Sequence, residues 1–320
     1  MPWFSFHLND FAYSFLSVLF EGLPFLLLGS IISGVVDVFV STERMQKMLP
    51  SSPALAIVVS GLMGLIFPMC ECGSVIVIRR FIKKGLPISS AVTYMLASPI
   101  VSPIVAVSTY AAFKGQNPAL MTMLRLGIGF LVAVAVGFIV YRIPASAILQ
   151  PGVVAEPSRR RTGLNITAAP PDQQDFASIV STASVPKKIL LAIQSATADF
   201  LDVAFFLIIG SAIASIFNTA VNQEIILPFA SNPLLAIVSL MVLAVVLAVC
   251  STTDAFIAAS FATFPFAAKL AFLLFGPVFD LKLFWLYGVL FKRRFVALLG
   301  IFLFLTIALA SWKISQLNVF

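Results

Sequence analysis

Long apolar runs, each closed by a short polar stretch, set the rhythm of the chain. Eight of them approach or exceed the roughly 20 residues that a helix needs to cross a bilayer. They cover 11–40, 54–82, 86–113, 119–141, 189–217, 233–264, 268–290 and 295–314. This pattern predicts an all-α polytopic membrane protein with about eight transmembrane helices. Between the fourth and fifth runs the pattern stops. Residues 142–188 hold Arg159-Arg160-Arg161, Pro170-Pro171 and scattered Ser, Thr and Asp, a composition that cannot bury a core. The expected organisation is a four-helix repeat over 1–141, a flexible cytoplasmic linker over 142–188 and a second four-helix repeat over 189–320.

The two apolar blocks align with each other. Phe25-Leu-Leu-Leu-Gly-Ser30 matches Phe206-Leu-Ile-Ile-Gly-Ser211 at an offset of 181, which also places Glu21 on Asp202. Ser52-Pro-Ala-Leu-Ala-Ile-Val58 matches Asn232-Pro-Leu-Leu-Ala-Ile-Val238 at an offset of 180, which carries Cys70 onto Cys250. Farther on, Ser98-Pro99 falls near Gly276-Pro277. Matches that keep one offset through successive helices predict a duplication, a common construction in secondary transporters. Arg79, Arg80, Lys83 and Lys84 put the end of the second run in the cytoplasm, and the arginine-rich linker follows on that side after two more crossings. Both termini are then expected in the cytoplasm, and four crossings per half make the repeats parallel. Lys292, Arg293 and Arg294 fall outside in this scheme and are its misfit.

Composition agrees with the pattern. Hydrophobic residues make up 60% of the chain, charged residues 10%, and the mean hydropathy is +1.07, which excludes an ordinary soluble domain. The net charge of +7 gathers at segment ends and in the linker, as orienting charges do, so no nucleic-acid partner is expected. No cleavable signal peptide is expected, because the first residues carry no positive cluster and the first run is of spanning length. Three cysteines, all within apolar runs, are no extracellular disulfide framework, and a lone His7 argues against a histidine-based metal site.

Chemistry concentrates at Pro68-Met-Cys-Glu-Cys-Gly73. On a regular helix, positions i and i+2 lie about 200° apart, so Cys70 and Cys72 would face opposite ways. Pro68 and Gly73 favour a break, in which both sulfurs turn the same way. Inside a membrane such a break survives only where protein buries it or a cavity runs past it. The counterpart in the second half is Cys250-Ser-Thr-Thr-Asp254, with Cys250 and Asp254 on one helical face. If the halves pack face to face, Cys70, Cys72 and Cys250 converge as soft ligands for a thiophilic metal or metalloid ion, with Glu71 and Asp254 as charge-compensating or proton-coupled groups. As single residues, buried cysteines also serve as small hydrophobes. Ser98-Pro99 and Ser102-Pro103 predict a kinked or unwound stretch whose hydroxyls and freed carbonyls line the path.

Other intramembrane charges are candidates for ion coupling: Glu21, Asp202, Asp280 and Lys282. Asp280 and Lys282, two apart after Gly276-Pro277, are expected to pair or to join a site at another break. Arg125 and Asp199, closer to segment ends, are each read as a member of an internal ion pair or as a helix-end charge near the interface. No phosphate-binding glycine loop is present, so ATP-driven transport by this chain alone, a bound cofactor and an enzymatic role are not expected.

With these residues in hand, the chain resembles the ArsP/YraQ-type predicted permeases of bacteria. The resemblance rests on Pro68-Met-Cys-Glu-Cys-Gly73, Arg79-Arg80, Lys84-Gly-Leu-Pro87, Met95-Leu-Ala-Ser-Pro-Ile-Val101, Ser108-Thr109, Cys250-Ser-Thr-Thr-Asp-Ala-Phe256 and Gly276-Pro-Val-Phe-Asp-Leu-Lys282. It implies an eight-helix permease of the bacterial inner membrane, and some relatives are tied to export of trivalent organoarsenicals. The chain departs from that family at Val75-Ile-Val-Ile78, where a proline is usual, and at Ser102, where asparagine is common. The expected function is a permease moving a small thiophilic solute by alternating access. The alternative is a transmembrane thiol-disulfide oxidoreductase using Cys70 and Cys250, against which stands the lack of a Cys-x-x-Cys pair. Expected partners are the lipid bilayer and the solute, with a second copy of the chain or an accessory protein left open.

Overall fold

Ser52-Pro53 and Asn232-Pro233 open helices in the same way. A proline at the first helical position gives up an amide that has no intrahelical partner there. The preceding side chain then accepts from another free amide, Ser52 from Leu55 at 3.3 Å and Asn232 from Leu234 at 3.1 Å. The computed structural model describes residues 8–39, 50, 52–67, 69–83, 85–150, 185–220, 230 and 232–316. His7, Pro68, Lys84, Arg159-Arg160-Arg161, Pro170-Pro171 and most of the expected linker lie outside the described residues, as does the Glu21 side chain.

The described helices of the first half are α1 (Leu8–Phe39), α2 (Pro53–Ile66), α3 (Glu71–Lys83), α4 (Ile88–Ala97), α5 (Pro103–Ala112) and α6 (Pro118–Tyr141), followed by the short α7 (Ala145–Ile148). The second half contains α8 (Val185–Ala220), α9 (Pro233–Leu247), α10 (Asp254–Ser260), α11 (Phe266–Phe275), α12 (Leu281–Tyr287) and α13 (Arg293–Gln316). Among the described residues, four helices are long and apolar enough to cross a membrane: Leu8–Val36, Pro118–Tyr141, Pro186–Ile216 and Arg293–Gln316. Four of the apolar runs are interrupted, near 67–70, 98–102, 248–253 and 276–280, where the backbone leaves helical geometry.

Contacts along the helices fix their directions. A Cβ on Gly22 would lie 3.3 Å from Leu207, and one on Gly34 would collide with the Ala192 carbonyl oxygen, so α1 and α8 run antiparallel. Helices α2 and α4 run parallel: Ile57 and Thr93 both meet Gly137 of α6, and Gly64 lies against Ser98. Helix α6 opposes them, since Gly129 meets Ile100. Helix α3 therefore returns toward the end from which α2 set out. Gly85, at φ 88°, makes the turn from α3 into α4, a conformation that side chains resist. The Phe81 and Tyr94 rings then lie 6.5 Å apart across that hairpin. In the second half Ala244 and Gly276 bring the ends of α9 and α11 together, while Phe304 meets Phe275 edge-on at 5.5 Å with α13 running the other way.

These directions correct the expected orientation. Antiparallel α1 and α8 replace the parallel halves, and the runs 54–82 (α2, then α3) and 233–264 (α9, then α10) each turn back at their break instead of passing straight through. The misfit of the basic cluster then disappears. Residues 146–150 and 288–292 meet through the Leu149–Phe291 bridge, Gln150 N–H donating to Leu290 O at 3.0 Å and Lys292 N–H donating to Ile148 O at 2.8 Å. Lys292, Arg293 and Arg294 thus share the end of the molecule at which Arg142 and the linker begin. At the opposite end, Gln116 donates to Ala259 O at 3.2 Å and accepts from Lys269 at 2.8 Å, tying α10, the turn before α6 and α11.

Candidate functional site at the helix breaks

Short helices ending mid-run bring their first residues together. Helix α3 starts at Glu71, with Cys70 Sγ accepting from Gly73 N–H at 3.4 Å and Ser74 Oγ donating to Glu71 O at 2.9 Å. Helix α12 starts after Asp280, whose Oδ1 accepts from Leu283 N–H at 2.5 Å as an N-cap. Two aligned glycines let the long helices press directly on these starts. A Cβ on Gly29 of α1 would lie 2.8 Å from Gly73 Cα, and one on Gly210 of α8 would lie 2.9 Å from Lys282 Cα.

Lys282 is the hub. Its ammonium donates to Glu71 Oε1 at 3.2 Å and to the Ala248 carbonyl at 3.4 Å, and stands 3.9 Å from Asp280 Oδ2. Glu71, Asp280 and Lys282 are all buried. Ala248 holds a left-handed backbone (φ 49°), which costs a non-glycine residue strain and here turns its carbonyl toward the lysine. The Cys72 thiol interacts with the Cys70 thiol and lies within electrostatic range of Lys282, as does Cys250. Cys250 Sγ also meets Thr252 Oγ1 at 3.5 Å. All three cysteines are free thiols. Among the described residues, no three His, Cys, Asp or Glu side chains stand close enough to hold a metal ion, so the three cysteines do not form a ready-made ligand set.

A second buried centre lies on α6. Arg125, fully buried, donates to both carboxylate oxygens of Asp254 at 2.9 and 2.7 Å, to Ser251 O at 2.9 Å and to Thr109 Oγ1 at 2.8 Å. Of the two readings expected for Arg125, the internal ion pair is the one the structure shows, and it clamps the first half to the second. Asp254, one turn after Cys250, is held in that clamp.

The remaining candidates are spread out. The helix does unwind at 98–102, and Pro103 opens α5. Ser98 and Ser102 are buried, but the Ser98 hydroxyl has no hydrogen-bond partner and Ser98 packs against Gly64 of α2. Asp202, whose side chain is 58% exposed, pairs with Arg79 at 2.9 Å near the basic end, away from the breaks. Asp199 is buried and accepts from Arg80 and Ser33, while Arg80 also donates to Ser195, so the internal ion pair expected for Asp199 is present. Sequence reasoning missed the roles of Arg125, Arg80 and Ser33. The one available signal was a charge inside an apolar run, which marks a partner without naming it.

Helices of spanning length, half-helices meeting at breaks and buried charges at those breaks define a multi-pass helical membrane protein. The chain belongs to the ArsP_1 family, described as predicted permeases, which it matches over residues 7–315. Membrane permease function is supported at that level. It is 34% identical over 287 residues to UPF0718 protein YcgR of Bacillus subtilis strain 168, covering 89% of this chain and 90% of that protein. It is 34% identical over 283 residues to a Streptococcus mutans protein named "Putative two-component membrane permease complex subunit", covering 88% of this chain and 87% of that one. No solved structure matches the chain.

Proposed function

We propose that this permease moves a small thiophilic solute (a metalloid, an organoarsenical or a soft metal ion) by alternating access through the helix breaks. The observation that carries the reading is the Glu71–Lys282 ion pair, contributed by both halves where α3 and α12 begin, with Cys72 and Cys250 within electrostatic range of the same lysine. Thiols select soft ions, and the neighbouring charges supply compensation without a fixed metal cage. Cys70, in contact with Cys72, is the third ligand that a moving solute would recruit.

The same reading takes the halves, 1–141 and 189–320, as a duplication of inverted topology joined by the linker 142–188. Its support is the aligned Ser52-Pro53 and Asn232-Pro233 caps, the aligned Gly29 and Gly210 contacts, and the antiparallel α1 and α8. Inverted halves with broken helices at mid-depth are the construction that alternating access uses. With the basic end inward, Arg79, Arg80, Arg142 and Lys292-Arg293-Arg294 all face the cytoplasm, and the start of α1 and the end of α13 face outward. The name of the Streptococcus mutans relative makes an accessory subunit part of this proposal.

Uptake and efflux in everted vesicles test it, comparing methylarsenite, Zn(II) and Cu(I) for wild type and for Cys70→Ser, Cys72→Ser and Cys250→Ser. The expected result is movement of one species, lost in the serine variants while folded protein remains. If no species moves and Cys70 and Cys250 instead cycle between thiol and disulfide, the permease site is wrong and a thiol-disulfide oxidoreductase takes its place.

A further inference from the structure

Resting on that reading, we infer that Glu71, Lys282 and Asp280 hold one exchangeable proton, and that parting of the two halves releases it. Three observations carry this. One ammonium faces two carboxylates, so the buried triad carries one negative charge too many if both are ionised. Each carboxylate also keeps one buried oxygen with no hydrogen-bond partner, Glu71 Oε2 and Asp280 Oδ2. Finally, the ammonium is shared unequally, 3.2 Å from Glu71 against 3.9 Å from Asp280.

Among the described residues, no cation other than Lys282 bonds to the two carboxylates. Helices α1 and α8 reach the two helix starts through Gly29 and Gly210. Tyr287 of α12 donates its hydroxyl to Val278 O at 3.0 Å. Cys72 and Cys250 contribute thiols, and Asp254 already has Arg125. A proton therefore resolves the excess charge, and Asp280 Oδ2 is its place. Asp280 is the carboxylate that the lysine leaves farther off, and Oδ1 goes on capping α12 whether or not Oδ2 is protonated.

The geometry couples this proton to motion. Glu71 belongs to the first half, Lys282 and Asp280 to the second, at the start of one helix. When the halves are together, Lys282 pairs with Glu71 and Asp280 is a neutral acid. When they part, the ammonium turns to Asp280 on its own helix, the proton on Oδ2 passes to water in the opened cavity, and Glu71 faces that water. Closing reverses each step. Bonds and charges balance with one proton taken up and one released per cycle.

The test is infrared pH-difference spectroscopy on the full chain in lipid nanodiscs, in sodium-free and sodium-containing buffer. A protonated-carboxyl band is expected in wild type near neutral pH, insensitive to sodium. Asp280→Asn should abolish it, and asparagine caps helices as well as aspartate does, so the fold is kept. Glu71→Gln, which hands the lysine to Asp280, should largely remove the band while Asp280 is still present. A band that survives Asp280→Asn overturns the inference, and so does one displaced by sodium at constant pH. Solute flux in the same preparation is a separate readout: its absence from wild type counts against the thiol site and leaves the carboxyl band to decide this proposal.

Discussion

Two buried ion-pair centres join the halves of this protein, and they are built to opposite specifications. At Arg125 the guanidinium meets both oxygens of Asp254, a backbone carbonyl and a threonine hydroxyl, and the charges cancel. At Lys282 one ammonium is divided between two carboxylates, each with an unpartnered oxygen, beside a strained Ala248 and two thiols. A centre with matched charge and near-full hydrogen bonding has no second arrangement of similar energy. A centre with surplus charge and spare acceptors has several. The first reads as a strut, and under the proposed mechanism the second is the part that rearranges.

The largest expected effect tests the strut. Arg125→Leu leaves the Asp254 carboxylate buried without its partner, and the loss of folded protein should correspond to about 3–5 kcal/mol. Thermal unfolding of purified protein in detergent checks this, together with the double variant Arg125→Leu/Asp254→Leu. The double variant should recover much of the loss, because an apolar pair of similar shape removes the uncompensated charge. If Asp254→Leu added to Arg125→Leu gives no recovery, the clamp is not what holds α6 to α10. Lys282→Met, by contrast, should cost clearly less in the same assay. Its carboxylates have free oxygens that can be neutralised by protons, and methionine fills the stem's volume. Equal losses at Arg125 and Lys282 would erase the distinction between the two centres.

Much of the material for both centres was legible in the chain. Pro68, Gly73, Ser98-Pro99 and Gly276-Pro277 mark breaks because proline removes an amide and glycine accepts unusual angles, and the backbone does leave the helix near each of them. Cys70, Glu71 and Cys72 stood out as polar residues at one such break. What could not be read was pairing. Glu71 finds Lys282 at a separation of 211 residues and Arg125 finds Asp254 at 129, and no local pattern encodes contacts at that distance. Direction was equally hidden, because an apolar run has the same length whether it passes straight through or turns back at a break. The misplaced Lys292-Arg293-Arg294 cluster was the clue: with the linker inside, it could not face the cytoplasm while the run 233–264 was taken as one straight passage. The contact between 146–150 and 288–292 supplies the missing constraint.

The contrast between saturated and loose pairs repeats in miniature at the basic end, on adjacent residues of α3. Arg80 donates to both oxygens of Asp199 at 2.8 and 3.0 Å and to Ser195 Oγ at 2.8 Å, and Ser33 adds a donor to the same carboxylate at 2.7 Å. Those side chains are 16% and 5% exposed. Arg79 makes one 2.9 Å contact to an Asp202 that is 58% exposed. Arg80→Ala should therefore destabilise the protein by about 2–3 kcal/mol, in the range of hydrogen bonds to charged groups. Arg79→Ala should cost about 1 kcal/mol or less, and rising salt should shrink that further because water screens the exposed pair. Thermal unfolding of both variants at low and high ionic strength decides the matter. A loss at Arg79 as large as at Arg80, or one indifferent to salt, would mean that Asp202 is buried in the working protein by something beyond this chain. An accessory subunit seated over α3 and α8 at the basic end would do that.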